Sequence, residues 1–215
     1  MNSPRLLQVD DLSCVRGGRQ LFSQLGFALD PSQGLHVAGE NGAGKTSLLR
    51  VLAGLLEPES GTVAWRGRDI RRGREELHTE LAFVGHLNGI KDDLTVLENI
   101  RLAAAVRGVA LEVDAMIHAL DQVGMVDYAG TLARQLSQGQ RRRVALTRLF
   151  AGPMLTLWIL DEPFNALDAR STQRLHDAID HHLAAGGAVV LTAHQDIPMP
   201  AAVRTMHLGR SGVSS

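Results

Sequence analysis

The eight residues GENGAGKT, Gly39 to Thr46, constrain this chain more than any other stretch. They follow the apolar run GLHVAG and open the helix-like segment SLLRVLAGLL, so strand, glycine-rich turn and helix stand in the order that G-x-x-x-x-G-K-[ST] requires. Glycines at positions 39, 42 and 44 let the backbone approach phosphate oxygens, because no Cβ intervenes and a positive φ costs little. The expected cradle is Gly39, Glu40, Asn41, Gly42, Ala43 and Gly44, with Ser47 in the first helical turn. Lys45 adds a charge at the β and γ phosphate positions and counts with the catalytic residues, while the Thr46 hydroxyl is placed to ligate Mg²⁺. The competing reading is a strand-to-helix turn that binds nothing, and the flanking elements weigh against it.

The rest of the chain fits an α/β P-loop fold with a mostly parallel sheet core. LTLWIL (Leu155 to Leu160) and AVVLTA (Ala188 to Ala193) are almost continuously apolar, as strands covered on both faces are. LLQVDDLS and LFSQLGFALD read as strands of an antiparallel edge, and TVAWRG and LAFVG continue the β character. Between Leu94 and Phe150 the period changes: TVLENIRLAAAV is helix-like, and Val113, Met116, Ile117 and Leu120 form an i, i+3, i+4, i+7 stripe. These features predict one domain over residues 1–215, with a core at about 1–87 and 151–215 and an inserted helical lobe at about 88–150.

Three further positions carry chemistry. LTLWILDEP ends an apolar strand in two carboxylates, at the sheet edge where ligands of open α/β folds sit. Asp161 is expected to hold Mg²⁺ through water and Glu162 to polarise the attacking water. His194, in VVLTAHQ, would emerge at the same edge and reach the γ-phosphate or the water. LSQGQRRRVALTRL places Ser137 and Gly139 where a helix begins, and the unpaired N–H groups of a first turn attract an anion. The other histidines, including His181 and His182, lack metal-ligand spacing and read as surface or helix residues.

Charge and cysteine usage exclude some classes. With 22 basic against 23 acidic residues the net charge is −1, which supplies no general field for nucleic acid. Arg66, Arg68, Arg71, Arg72 and Arg74 cluster, but Asp69, Glu75 and Glu76 answer them, as in a solvated loop or hairpin tip. Cys14 is the only cysteine, which fits a reducing compartment. The apolar stretch around MLTLWIL is far short of the ~20 residues of a spanning helix, so any action at a membrane needs another chain.

GENGAGKT, LSQGQ, LWILDEP, NALD and LTAHQ, in that order over nearly the whole chain, closely resemble the nucleotide-binding subunits of ABC transporters. The resemblance implies the ABC ATPase fold, ATP and Mg²⁺ as ligands, and a homodimer packed head to tail. Ser137, Gln138, Gly139 and Gln140 of one copy would then face the ATP held by Lys45 of the other, with Asn165 to Asp168 as the D-loop along the seam. Within this family, FVGHLNGIKDDLTVLENI and LWILDEPFNALD look most like the ATP-binding subunit of the cytochrome c maturation system, the haem exporter ATPase. That narrower resemblance implies a peripheral subunit on the cytoplasmic face of the bacterial inner membrane. It also implies integral partners of the CcmB and CcmC type, and an ATP cycle that drives release of a haem-loaded chaperone. The segment around Leu87 to Leu94 would meet the membrane subunit.

Three positions depart from the family pattern. His86 stands where the Q-loop glutamine normally reaches Mg²⁺ and water; it acts through water there, or lies out of register and shapes the loop. Gln138 replaces a signature glycine, either crowding the γ-phosphate or adding a donor. No aromatic stands ready to stack on adenine near CVRGG, where Arg16 offers a planar guanidinium or is simply a surface arginine. Two other functions stay open: energising a different importer or exporter, and acting as a soluble ABC-type ATPase on nucleic acid or ribosomes.

Overall fold

The computed structural model describes residues 5–193 and 198–209, together with the backbone of 212–214. Two sheets carry the architecture. The first strands, β1 (Leu7–Arg16) and β2 (Arg19–Leu29), form a hairpin whose two-residue turn is Gly17 and Gly18, both at positive φ as the natural twist of a hairpin demands. Strand β3 (Gly34–Ala38) leads into the glycine-rich turn and helix α1 (Lys45–Leu52). Strands β4 (Ser60–Trp65) and β5 (Arg68–Asp69) complete an antiparallel sheet ordered β2-β1-β4-β5.

The second sheet contains the buried strands. Helix α2 (Arg74–Glu80) runs into β6 (Leu81–Val84). Helices α3 (Val96–Val106), α4 (Val113–Gln122) and α5 (Gln138–Leu146) then precede β7 (Leu157–Leu160), α6 (Ala169–Ala184), β8 (Ala188–Leu191), β9 (Val203–Gly209) and β10 (Gly212–Ser214). The order is β10-β9-β3-β8-β7-β6, parallel from β9 to β6, with β10 antiparallel to β9. Side chains alternate across it. Leu157, Ile159 and Val190 join a core with β1, β2 and α1, while Trp158, Leu160, Val189 and Leu191 join one with α4, α5 and α6.

Local signals set the helix bounds. SLLRVLAGLL stops short of its apolar pattern because Gly54, at φ +68°, takes the left-handed position of a Schellman turn, with Leu55 N–H bonded to the Arg50 carbonyl. Helix α3 begins after Thr95, whose side chain forms a capping box with Glu98. The α4 stripe is narrower than its spacing predicts: Met116 and Leu120 are fully buried, but Val113 at the first turn is 50% exposed.

One histidine is the helix residue expected, but buried, and another departs from the sequence reading. His182 lies on a helix but faces inward, 4% exposed and stacked 4.0 Å from the Trp158 ring. His36 sits within β3, equally buried, between Thr205 and the Ala193 carbonyl. Burial pushes the pKa of both imidazoles down, because a low-dielectric site disfavours the charged form.

Candidate nucleotide site

The register of the parallel sheet assembles the site. Val84 pairs with Leu160 and Leu160 with Leu191, so Gly85, Asp161 and Thr192 leave three adjacent strands at one edge. The hydrogen bonds continue past the strands, from Asp161 N–H to the Val84 carbonyl at 2.8 Å and from Thr192 N–H to the Leu160 carbonyl at 3.0 Å. At this edge the Thr192 hydroxyl donates to Asp161 Oδ1 at 2.9 Å, and the Thr46 hydroxyl donates to Asp161 Oδ2 at 2.9 Å. Asp161 is 2% exposed, so its carboxylate depends on these two donors for hydrogen bonding. Thr46 and Asp161 thus present hard oxygens side by side, a donor set that fits Mg²⁺, which takes few protein ligands and completes its shell with phosphate and water. Among the described residues no cluster of three or more His, Cys, Asp or Glu forms a metal site.

The loop itself is shaped by its glycines. Gly39 has φ +143°, and a Cβ there would stand 2.6 Å from the Leu208 carbonyl oxygen. Gly44, at φ +102°, is the N-cap of α1, and a Cβ on it would meet Leu21. Lys45 folds back so that Nζ donates to the carbonyls of Gly39 at 2.7 Å and Glu40 at 3.1 Å. Gly39, Glu40, Asn41, Gly42 and Ala43 line a cavity of about 550 Å³, closed by Arg19 and the end of β9. Ser47 lies in the first turn of α1. Arg16 ends β1, exposed, directly across the hairpin from Arg19, and it is Arg19 that reaches the cavity wall.

Glu162 follows Asp161 with φ +49°, a conformation that side-chain-bearing residues rarely hold. Its carboxylate accepts from the Asn165 amide, and His86 Nδ1 is 3.9 Å from the same oxygen, Oε2. His86 is exposed on the segment after β6. His194 lies outside the described residues.

Helix α5 begins at Ser137, whose hydroxyl accepts from Gln140 N–H at 3.2 Å while the Gln140 side chain accepts from Ser137 N–H at 2.8 Å. Gln138 is exposed. Gly139 packs against the turn after β7, where an added Cβ would stand 2.4 Å from the Ala166 carbonyl oxygen. Among the described residues no hydrogen bond joins Ser137–Gln140 to the loop at Gly39–Ser47.

Sequence reasoning missed several members of this constellation. Thr192 was visible only as the polar residue after a buried strand, and Asn165 as part of the D-loop segment or a helix start, with nothing to tie it to Glu162. Arg142 gave no signal, since three consecutive arginines look alike until the fold selects one. It is 4% exposed and bonded to Gly85, Asp161, Glu162 and Pro163 carbonyls.

Strand, glycine-rich turn and helix, with a buried aspartate at the end of a parallel strand two places away in the sheet bonded to the first helical turn, define a P-loop nucleotide-binding domain. Comparison with known proteins narrows the class. The family model described as "ABC transporter" matches residues 22–165. The cytochrome c biogenesis ATP-binding export protein CcmA of Aromatoleum aromaticum is 48% identical, over 92% of this chain and 92% of its own length. Its counterpart in Dechloromonas aromatica is 47% identical, over 95% and 100%. A solved ATP-binding subunit of an ABC transporter superposes with a TM-score of 0.78 at 26% identity, covering 88% of this chain and 80% of that one. The chain belongs to the ABC transporter ATP-binding family, in its cytochrome c biogenesis branch.

Proposed function

We propose that the chain is the ATP-hydrolysing subunit of an ABC complex that serves cytochrome c biogenesis. The observation that carries this reading is the bonded series Thr46–Asp161–Thr192 beside the glycine loop, with Glu162 next in sequence. Lys45 and the loop N–H groups bind the β- and γ-phosphates. Thr46 and Asp161 would hold Mg²⁺, which supplies neutralisation of phosphate charge when bound. Glu162 orients and deprotonates the attacking water, with help from His86 beside it and from His194.

The first turn of α5 contains no acidic residue and presents the positive end of its dipole. In a head-to-tail homodimer, Ser137 to Gln140 of one copy close over the triphosphate held by the other. Loss of the γ-phosphate weakens those contacts, so nucleotide state becomes subunit separation. Arg16, exposed at the end of β1 across the hairpin from the Arg19 that lines the loop cavity, completes the proposed ligand set by stacking on adenine.

No helix among the described residues is long and apolar enough to cross a membrane. We place the chain peripherally at the cytoplasmic face of the inner membrane, on integral subunits of the CcmB and CcmC type, with release of a haem-loaded chaperone as the driven step. Leu87 is 80% exposed, and a cavity of about 670 Å³ nearby has an apolar side of Leu55, Phe83, Leu102 and Val106 and a charged rim that includes Glu75, Lys91, Arg107 and Arg148. An apolar segment of the membrane subunit suits that face. Affinity capture from detergent extract, using Glu162→Gln with ATP, tests the assignment. Recovery of those integral subunits is expected; recovery of nucleic acid, or of the membrane subunits of another transporter, would refute it.

A further inference from the structure

We propose that Arg142 is a positioning residue for Glu162: its buried guanidinium clamps the left-handed backbone of Glu162 and fastens it to helix α5 and to the segment after β6. The inference rests on the reading of Glu162 as the residue that activates water.

Glu162 has φ +49°, and a non-glycine residue stays there only when its surroundings fix both of its peptide groups. On one side its N–H donates to the Thr192 hydroxyl at 2.8 Å. On the other its carbonyl accepts from Arg142 Nη2 at 2.9 Å. The same nitrogen donates to the Asp161 carbonyl at 2.7 Å, and Nε donates to that of Pro163 at 3.3 Å, so one planar fork holds three consecutive carbonyls. Nη1 faces the other way. It donates to the Gly85 carbonyl at 2.8 Å and to Asn88 Oδ1 at 3.2 Å, on the segment that carries His86.

The electrostatics fit a positioning task better than a stabilising one. Arg142 forms no salt bridge among the described residues, and its charge is balanced by carbonyl dipoles, with the acidic groups of Asp161 and Glu162 nearby. Burying a cation this way is costly. Burial lowers the guanidinium's proton affinity, and the two carboxylates offset only part of that. The flanking arginines are bonded elsewhere: Arg141 to the Ala133 carbonyl and Asp92, and Arg143 to the Gly124 carbonyl. Because Arg142 lies on the helix that begins at Ser137, a displacement of α5 reaches Glu162 and the His86 segment through one rigid group. The signature helix and the water-activating carboxylate are thereby coupled within a single chain.

Arg142→Lys removes the fork and keeps the charge. On the full-length chain, single-turnover hydrolysis at saturating ATP is expected to fall about 10- to 100-fold, the scale of a misplaced reacting group, with ATP affinity unchanged. The discriminating measurement is the double variant with Glu162→Gln. A group that acts through Glu162 adds no further loss once that carboxylate is gone, so the double variant matches Glu162→Gln alone. Losses that multiply, or a rate loss that follows loss of ATP binding, would overturn the clamp while leaving Glu162 as the base. Parent-like hydrolysis by Glu162→Gln alone would instead overturn the reading of Glu162. A second measurement guards against misfolding. Glycine tolerates the left-handed backbone without help, so Glu162→Gly is expected to recover part of the melting temperature, or the folded yield, lost in Arg142→Lys. No recovery in that background would count against the clamp.

Discussion

Around the phosphate loop the polar groups are bonded to one another across three strand ends, whereas at the start of α5 they are bonded only within their own turn. Thr46, Asp161 and Thr192 come from sequence positions far apart, yet the sheet register brings them within 2.9 Å contacts. Ser137 and Gln140 satisfy each other three residues apart and leave Gln138 exposed, with Gly139 against the turn after β7. One region is therefore organised by tertiary structure and has the groups proposed to bind metal and phosphate in place within one chain. The other is a helix start capped within itself, whose N–H donors and dipole are proposed to serve a phosphate held by another copy. On the proposed head-to-tail reading, a single copy would bind nucleotide at one edge and still lack half of the catalytic enclosure.

The sharpest way to break this comparison is to remove a group from the first region. Glu162→Gln keeps shape and hydrogen bonding but cannot take a proton. Turnover should fall about 10²- to 10⁴-fold, the usual contribution of a general base, while ATP binding persists. Steady-state hydrolysis and equilibrium nucleotide binding, measured side by side, check this; undiminished hydrolysis would move the base elsewhere. Next in size is Lys45→Ala. Lys45 is satisfied by the Gly39 and Glu40 carbonyls and can exchange them for phosphate oxygens. Losing that charge-assisted contact should weaken ATP binding about 10- to 100-fold by calorimetric titration.

Legibility in the sequence follows the same division. GENGAGKT and LWILDEP were readable because local pattern alone specifies strand, turn and helix, and a run buried on both faces is apolar throughout. The antiparallel strands and the helical stretch were readable from period. What escaped was set by contacts distant in sequence. VRTMHLG, now β9, buries only Val203, Met206 and Leu208 and alternates with polar residues, so it carried little signal. The stack of His182 on Trp158 depends on how α6 lies over β7, and no spacing reveals it. Arg142 differs from Arg141 and Arg143 only in which way it points.

Gly139 joins the two regions, and its substitution sharpens the contrast at a smaller scale. Alanine would gain up to about 1 kcal/mol of helix propensity. Its Cβ, however, would stand 2.4 Å from a backbone oxygen, that of Ala166, so α5 or the turn at Asn165–Asp168 must move. Overpacking of this kind costs about 1–3 kcal/mol, and with backbone on the receiving side the clash outweighs the propensity gain. A net loss near 1–2 kcal/mol should lower the melting temperature by about 2–6 °C. Because Asn165 bonds Glu162, the displaced turn should also slow hydrolysis more than it weakens ATP binding. An unchanged melting temperature would mean that the two segments separate freely.

The smallest effect is expected at the helix start itself, and it tests whether α5 is as self-contained as its bonding indicates. Ser137→Ala removes one side of the capping box and Gln140→Ala the other. Loss of the serine cap should cost about 1 kcal/mol, a few degrees of melting temperature in a chain of this size. Because the two bonds are reciprocal, the double variant should lose less than the sum of the singles. Stability and turnover should then part company. Nucleotide affinity of one copy depends on the phosphate loop and should not change, whereas hydrolysis that needs α5 of a second copy should fall in Ser137→Ala and rise with protein concentration in the parent. Should hydrolysis per chain be independent of concentration and insensitive to Ser137, the capped turn has no catalytic client, and the two regions differ in construction without sharing a reaction.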